Sequence, residues 1–177
     1  MGILISSFIG CGKTYLINSQ GNKAKIFDAG KELINDEDYD SFVDKVMDIV
    51  DEYDIVFIPA DEEVLDAFNE KNIDYDLFYP SKERRGEIIE NCVRKRENHN
   101  TIMMLDRNFD KNIDRFDSIE TENCYKHKMP EKGHFIGNDG AIMQYINNLS
   151  QKPKANEQKQ GVEESPRSKN NNEENES

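Results

Sequence analysis

The chain of 177 residues carries 36 acidic and 23 basic side chains, a formal net charge of −13. A body this acidic repels a nucleic-acid backbone unless a local basic patch intervenes, which argues against duplex nucleic acid as a partner. The first apolar run, residues 3–9, is too short to span a membrane, and no membrane association is expected.

Apolar periodicity predicts a series of strands and helices. Buried strands are predicted at residues 2–6, 24–28, 55–58 and 75–79, with a candidate fifth at 123–127. Helices are predicted over residues 13–19, 38–51, 61–69, 81–98 and 142–149. Residues 101–119 predict two short helices around Asn108, although the run 102–105 is also compatible with a strand. This alternation indicates an α/β fold with a mostly parallel sheet of about five strands and helices on both faces.

The C-terminal segment, residues 151–177, differs in composition from the rest of the chain. Its only aliphatic side chains are Ala155 and Val162. Such a segment cannot bury enough apolar surface to offset the entropy of ordering it. We therefore expect one domain over residues 1–150, followed by a disordered polar tail.

Residues 7–14 compare with the phosphate-loop pattern Gly-x-x-x-x-Gly-Lys-Ser/Thr. Gly12, Lys13 and Thr14 match the pattern, and Ser7 replaces its first glycine. The segment also follows a predicted buried strand and precedes a predicted helix, which is the context that the pattern requires. Because position 7 carries a side chain, its backbone must adopt a conformation that an L-residue tolerates.

The residue types in this segment suit phosphate binding. Gly10 and Gly12 let the backbone bend so that consecutive N–H groups point at one anion, beside the positive end of a helix. Lys13 adds a mobile charge for the outer phosphates, and the Thr14 hydroxyl is a candidate Mg²⁺ ligand. The predicted contacts to a nucleoside triphosphate come from Ile9, Gly10, Cys11, Gly12, Lys13, Thr14 and Tyr15.

Two carboxylates follow predicted strands, where parallel sheets bind ligands. Asp28 ends the second strand and is a candidate catalytic residue, which would accept a proton from a hydroxyl or hold a magnesium-bound water. A cap or turn role for Asp28 is the alternative. Asp61 comes three residues after the third strand, and a helix cap is the favoured interpretation for it.

A cationic segment, residues 82–96, holds six Lys or Arg side chains. At about 100° per residue, Arg85 and Arg96 share one helix stripe with apolar residues, whereas Arg94 projects from the opposite side. The apolar residues of that stripe are Ile88, Ile89, Cys92 and Val93. An inward guanidinium needs a counter-charge, and a phosphate or nearby acidic side chains would supply it. We predict catalytic roles for Arg85 and Arg96.

Together these residues resemble a group of small bacteriophage P-loop proteins identified as nucleotide kinases, and more distantly the nucleoside monophosphate kinases. The likeness covers residues 1 to about 149 and rests on the loop and on residues 26–30, 53–61, 72–80, 94–98 and 108–110. It implies a three-layer sandwich of the P-loop NTPase type. It also implies ATP as donor, Mg²⁺ as cofactor, a nucleotide acceptor, and a lid over residues 84–96 whose arginines meet phosphates.

Two functions follow as hypotheses. The first is a phosphotransferase that moves the γ-phosphate of ATP to a deoxynucleoside monophosphate or a similar acceptor, with Lys13, Asp28, Arg85 and Arg96 as catalytic residues. A modified base in phage DNA is a further acceptor, which the acidic body disfavours. The second is a nucleotide-binding regulatory or host-interaction protein that keeps the loop but lacks turnover, because Ser7 and the missing aspartate at the end of strand three depart from the kinases.

Cysteine usage bears on the compartment. Three cysteines, Cys11, Cys92 and Cys124, have no metal-ligand spacing, and the N-terminus has no secretory signal. Both features favour a reducing compartment. We expect a cytoplasmic protein, in the host-cell cytoplasm if a phage encodes it, whose oligomeric state the sequence leaves open.

Removing the tail tests the predicted domain boundary. A chain ending at Ser150 is expected to keep the melting temperature and ATP affinity of the full chain, because the removed residues have almost nothing apolar to pack. Calorimetric melting and ATP titration measure the two properties. A melting temperature lower by several degrees would show that the tail docks on the body and that the boundary is wrong.

Overall fold

A computed structural model describes residues 1–34 and 38–151 as an α/β protein with five strands and seven α-helices. The strands are β1 (Ile3–Ser7), β2 (Ile26–Asp28), β3 (Ile55–Ile58), β4 (Tyr75–Pro80) and β5 (Cys124–Met129). They pair in the order β2-β3-β1-β4-β5, and every pairing is parallel. The predicted α/β class with about five strands is therefore confirmed, and the sheet is entirely parallel.

Helices alternate with the strands along the chain. They are α1 (Lys13–Gln20), α2 (Ala29–Glu32), α3 (Tyr39–Ile49), α4 (Glu62–Glu70), α5 (Arg85–Arg94), α6 (His99–Ser118) and α7 (Gly140–Gln151). The arrangement is consistent with a three-layer α/β sandwich. None of these helices is long and apolar enough to cross a membrane. The predicted tail lies outside the described residues, apart from Gln151 at the end of α7.

The order of the strands follows their apolar content. All four residues of β3 are buried, as expected for an interior strand. In the edge strand β5, Lys126 and Lys128 are exposed, and such charges discourage pairing with a further strand. Strand β1 lies between β3 and β4, so its carboxyl end opens at the middle of the sheet edge, where the loop of residues 7–14 begins.

Helix α6 corrects the prediction for residues 101–119. The chain forms one helix of 20 residues there, neither two short helices nor a strand at 102–105. Its buried residues continue at helical spacing through Asn108 without a break; they are Leu105, Phe109, Ile113 and Phe116. The Asn108 amide donates to the carbonyl of Met104 one turn earlier, at 3.1 Å, and so fits within the helix. The tertiary packing of this face outweighs the modest helix propensity of asparagine.

Aromatic packing holds α6 against the start of the loop. The Phe8 ring meets Phe109 and Phe116 edge to face, at centroid distances of 5.6 and 5.5 Å. Such aromatic pairs stabilise a fold by about 0.5–1.5 kcal/mol each beyond the area that they bury. The packing places the polar side chains of α6 beside the carboxyl edge of the sheet.

Candidate phosphate-binding site

The loop between β1 and α1 bends at two glycines. Gly10 and Gly12 have φ angles of 82° and 97°, in the left-handed region that glycine tolerates best. A Cβ at Gly10 would lie 2.8 Å from Cγ2 of Ile88, and one at Gly12 would lie 2.9 Å from Cβ of Phe135. Both glycines are therefore required by the backbone conformation and by the close approach of the neighbouring segments.

The serine at position 7, where the phosphate-loop pattern has glycine, is compatible with this loop. Ser7 is the last residue of β1, and its backbone does not have a positive φ. No glycine is needed where the backbone is extended, so the departure from the pattern does not strain the turn. Gly12 caps α1 without a side-chain hydrogen bond, which leaves the first N–H groups of the helix available to an anion.

Lys13 and Asp28 form an ion pair at the carboxyl edge of the sheet. The Lys13 Nζ lies 2.7 Å from Oδ2 of Asp28, whose side chain is only 16% exposed. The other oxygen of Asp28 accepts from the N–H of Lys31 at 3.3 Å, so this carboxylate also caps α2. Asp28 is therefore the cap of α2, and it also lies beside the loop lysine. Its catalytic role stays a prediction.

A cleft of about 1110 Å³ opens above these residues. Its floor is the loop from Ser7 to Thr14, and one side carries Asp28 and the segment after β3. The end of α5 and one face of α6 also line the cleft. Six of the seven predicted triphosphate contacts line this cleft: Ile9, Gly10, Cys11, Gly12, Lys13 and Thr14.

Tyr15 lies outside the cleft, and Cys11 lines it as a buried residue. The exposed Tyr15 is not part of the cleft wall, and its ring lies against Gly137, where an added Cβ would be 3.3 Å from Cδ1. Burial raises the pKa of Cys11 to about 12, with Arg84 acting in the opposite direction. The Cys11 thiol therefore stays protonated and is suited to packing beneath the loop rather than to nucleophilic chemistry.

The stripe predicted for the arginines is wrong. Helix α5 ends at Arg94, and Arg96 follows it with a left-handed backbone, φ 56°. Hydrogen bonds from Arg96 N–H to Val93 and from Glu97 N–H to Cys92 close the helix in a Schellman motif. Arg96 therefore lies outside the helical register that was extrapolated to it, and Val93, placed on the inward stripe, is 56% exposed.

Arg85 also differs from its predicted environment. Its Nε lies 2.9 Å from Oδ1 of Asp106, and both side chains are about half exposed. Arg85 therefore has an acidic side chain as its counter-charge, which was the alternative to a phosphate. Neither Arg85 nor Arg96 lines the cleft, so their predicted catalytic roles lose the geometric argument that supported them.

The buried arginine of this region is Arg84, which the sequence did not single out. Its Nε lies 2.9 Å from Oε2 of Glu87, and its Nη1 donates to the carbonyls of Met129 and His134 at 3.1 and 2.6 Å. The guanidinium lies over the Phe135 ring, which in turn contacts Gly12. Arg84 thus joins the start of α5 to the segment that supports the loop.

Glu87 completes this cluster. Burial alone would raise the pKa of Glu87, but hydrogen bonds from Arg84 and from the N–H of Gly133 outweigh it, and the pKa lies below its usual value. The carboxylate is therefore charged and depends on Arg84 as its cation.

Arg84→Ala is expected to lower the free energy of unfolding by about 2–3 kcal/mol, because it leaves the Glu87 charge and two buried carbonyls without their partner. Arg85→Ala is the matched control, since it removes an exposed ion pair and is expected to leave the free energy of unfolding nearly unchanged. Urea denaturation of the two variants gives both values. Equal losses would contradict the structural role assigned to Arg84.

Two further residues of the cleft come from the N-terminus of α4 and from α6. Asp61 occupies the N-cap position of α4, as favoured, but its side chain makes no capping hydrogen bond. Arg115 donates to the carbonyl of Ala60 at 2.9 Å and to Oε2 of Glu62 at 3.1 Å. No sequence pattern pointed to Arg115, because only the fold brings α6 to the segment after β3.

The residues present fit Mg²⁺ bound together with phosphates. The described residues contain no group of three or more His, Cys, Asp or Glu side chains that would hold a metal. Mg²⁺ commonly retains several waters and takes only one or two protein ligands beside substrate phosphates. The Thr14 hydroxyl and the Asp28 carboxylate, which both line the cleft, meet that requirement.

No family model matches the chain, and no curated protein matches it significantly.

Proposed function

We propose that the chain is a P-loop phosphotransferase that moves the γ-phosphate of ATP to a nucleotide, with a deoxynucleoside monophosphate as the first choice. The observation that carries this proposal is the loop itself. Two left-handed glycines precede the N-terminus of α1, Lys13 lies beside the Asp28 carboxylate, and Lys13 and Thr14 both line an open cleft. This combination suits phosphates better than it suits a purely structural turn.

Each residue of the loop has a distinct role in this proposal. The N–H groups at the start of α1 bind phosphate oxygens, and Lys13 leaves Asp28 to contact the outer phosphates. Thr14 and Asp28 would hold Mg²⁺. When bound, the metal neutralises charge on the phosphates.

The acceptor determines what Asp28 must do. The attacking oxygen of a nucleoside monophosphate belongs to a phosphate whose second pKa is about 6, so it needs no general base at neutral pH. It forms a bond to the γ-phosphorus as the bond to the β-phosphate oxygen breaks, leaving ADP and a nucleoside diphosphate. Asp28 would then help to hold the metal, without taking a proton from the acceptor. A hydroxyl acceptor would instead require Asp28 to take its proton.

A nucleotide-binding protein without turnover is the second candidate. The observation that favours it is the end of β3, where Ile58 is followed by Pro59 and the first carboxylate is Asp61 on α4. At a metal site formed with the Thr14 hydroxyl, Asp28 would then be the only carboxylate at a strand end. Such a protein would bind ATP at the same loop but would not transfer phosphate.

Acceptor-dependent ADP formation separates the two candidates. Labelled ATP, Mg²⁺ and each of the four deoxynucleoside monophosphates are incubated with the full chain, and ADP and the labelled diphosphate are quantified. A phosphotransferase forms both products in equal amounts and only when an acceptor is present. Tight ATP binding with no product from any acceptor would favour the binding protein.

A further inference from the structure

One face of α6 lines the cleft and changes character along the helix. Residues spaced three or four apart lie on the same face of a helix. Those lining the cleft include Met104, Leu105, Asn108, Lys111, Asn112 and Arg115. The face therefore carries apolar side chains at its N-terminal end and alternating amides and cations toward its C-terminal end, over about 16 Å at 1.5 Å per residue.

Several groups on this face lack a partner that the described residues could supply. Asn112 is half-buried, and its side-chain amide makes no hydrogen bond within the described part of the chain. Asn108 donates to Met104, which leaves its Oδ1 as an unused acceptor among the described residues. A half-buried amide without a protein partner needs water or a ligand, so both side chains are suited to recognising a polar group in the cleft.

Apolar and cationic side chains extend the same face on either side of the amides. Met104 lines the cleft, and 57% of its surface is exposed. A flat apolar ring bound in the cleft would therefore cover its side chain. Lys111 is exposed and forms no ion pair within the described residues, whereas Arg115 is held by Ala60 and Glu62. An apolar surface beside a group of amides and cations suits a base face, a base edge and a phosphate.

The size of the cleft leaves room for a second ligand. Pockets for one drug-sized ligand measure roughly 300–1000 Å³, and this cleft measures about 1110 Å³. Phosphates bound at the loop would occupy only the floor beside Lys13. The wall formed by α6 remains for another molecule.

From these observations we infer that the α6 face is a binding site for a nucleoside monophosphate. Met104 packs against the base, Asn108 and Asn112 hydrogen-bond its edge, and Lys111 and Arg115 bind its phosphate. The inference rests on the proposed function for its role as the acceptor site, but binding to this face can be measured without turnover.

Equilibrium titration of the full chain with each deoxynucleoside monophosphate tests the site directly. Asn112→Ala and Asn108→Ala are each expected to weaken binding of the preferred monophosphate by about tenfold, the loss typical of a specific hydrogen bond in a cleft. Lys111→Ala should weaken the monophosphate but not the corresponding nucleoside. Asn100→Ala and Arg107→Ala are matched controls, because these exposed residues of α6 do not line the cleft.

Each outcome separates this inference from the proposed function. Monophosphate binding that depends on the α6 residues, without ADP formation, supports the site and contradicts the kinase. Transfer that proceeds with unchanged KM for the monophosphate in the amide variants supports the kinase and overturns the site. A loss of ATP affinity with no effect on monophosphate binding would assign the face to the donor base and overturn the inference, as would the absence of monophosphate binding at millimolar concentration in the unaltered protein.

Discussion

Lys13→Ala is expected to raise the dissociation constant of ATP by about 10- to 100-fold and to slow transfer by about 10²–10³-fold, the losses typical of removing one charged contact to phosphate. The fold should survive, because Lys13 is partly exposed and its only ion-pair partner within the described residues is Asp28. ATP titration and melting temperature, measured on the same preparation, separate the two effects.

Lys23→Ala is the control for the lysine substitution, since Lys23 is exposed and lies outside the cleft. Lys13→Arg adds a second comparison, because it keeps the charge but changes the shape of the group that meets the phosphate. A folded Lys13→Ala protein with unchanged ATP affinity would exclude the phosphate-loop interpretation.

Asp28→Asn is expected to change ATP binding and phosphate transfer in opposite directions. Without Mg²⁺, the variant should bind ATP about tenfold more tightly, because Lys13 loses its competing carboxylate and one negative charge leaves the cleft. With Mg²⁺, transfer should slow by about 100-fold, because the amide no longer helps to hold the metal. ATP titrations with and without Mg²⁺, together with initial rates, measure both effects.

Asp54→Asn provides the matched control for Asp28, because Asp54 also contacts backbone but lies outside the cleft, with its Oδ2 accepting from the Lys25 N–H at 2.7 Å. If Asp28→Asn left transfer unchanged while the melting temperature fell, Asp28 would be only the cap of α2. A loss of transfer restricted to hydroxyl acceptors would instead assign it a general-base role.

Local patterns in the sequence were sufficient to predict the sheet and the loop. Apolar runs located β1 to β4 to within two residues at each end, because a strand buried on both faces must be apolar along its length, whereas β5 was only a candidate. Gly10 and Gly12 were recognised because a left-handed turn has few alternatives to glycine. The position of Asp28 at a strand end followed from the same local information.

The environments of the arginines in residues 84–96 could not be predicted from local sequence patterns. Helical spacing extended α5 to Arg96, but the left-handed cap after Lys95 ends that register. The buried arginine is instead Arg84, whose carbonyl partners on Met129 and His134 lie 45 and 50 residues further along the chain. No periodic pattern can indicate which of two adjacent arginines meets such distant groups.

The sequence by itself thus determined the class of fold, the phosphate-loop pattern and the carboxylate after β2, because each depends on short-range backbone and side-chain preferences. Only the tertiary structure decided the ion pair of Lys13 with Asp28, the burial of Arg84 and the wall that α6 adds to the cleft. These features require segments far apart in sequence to meet, and their contacts depend on how helices pack on the sheet. The packing of the helices on the sheet therefore determines which of the many charged and amide side chains face the cleft.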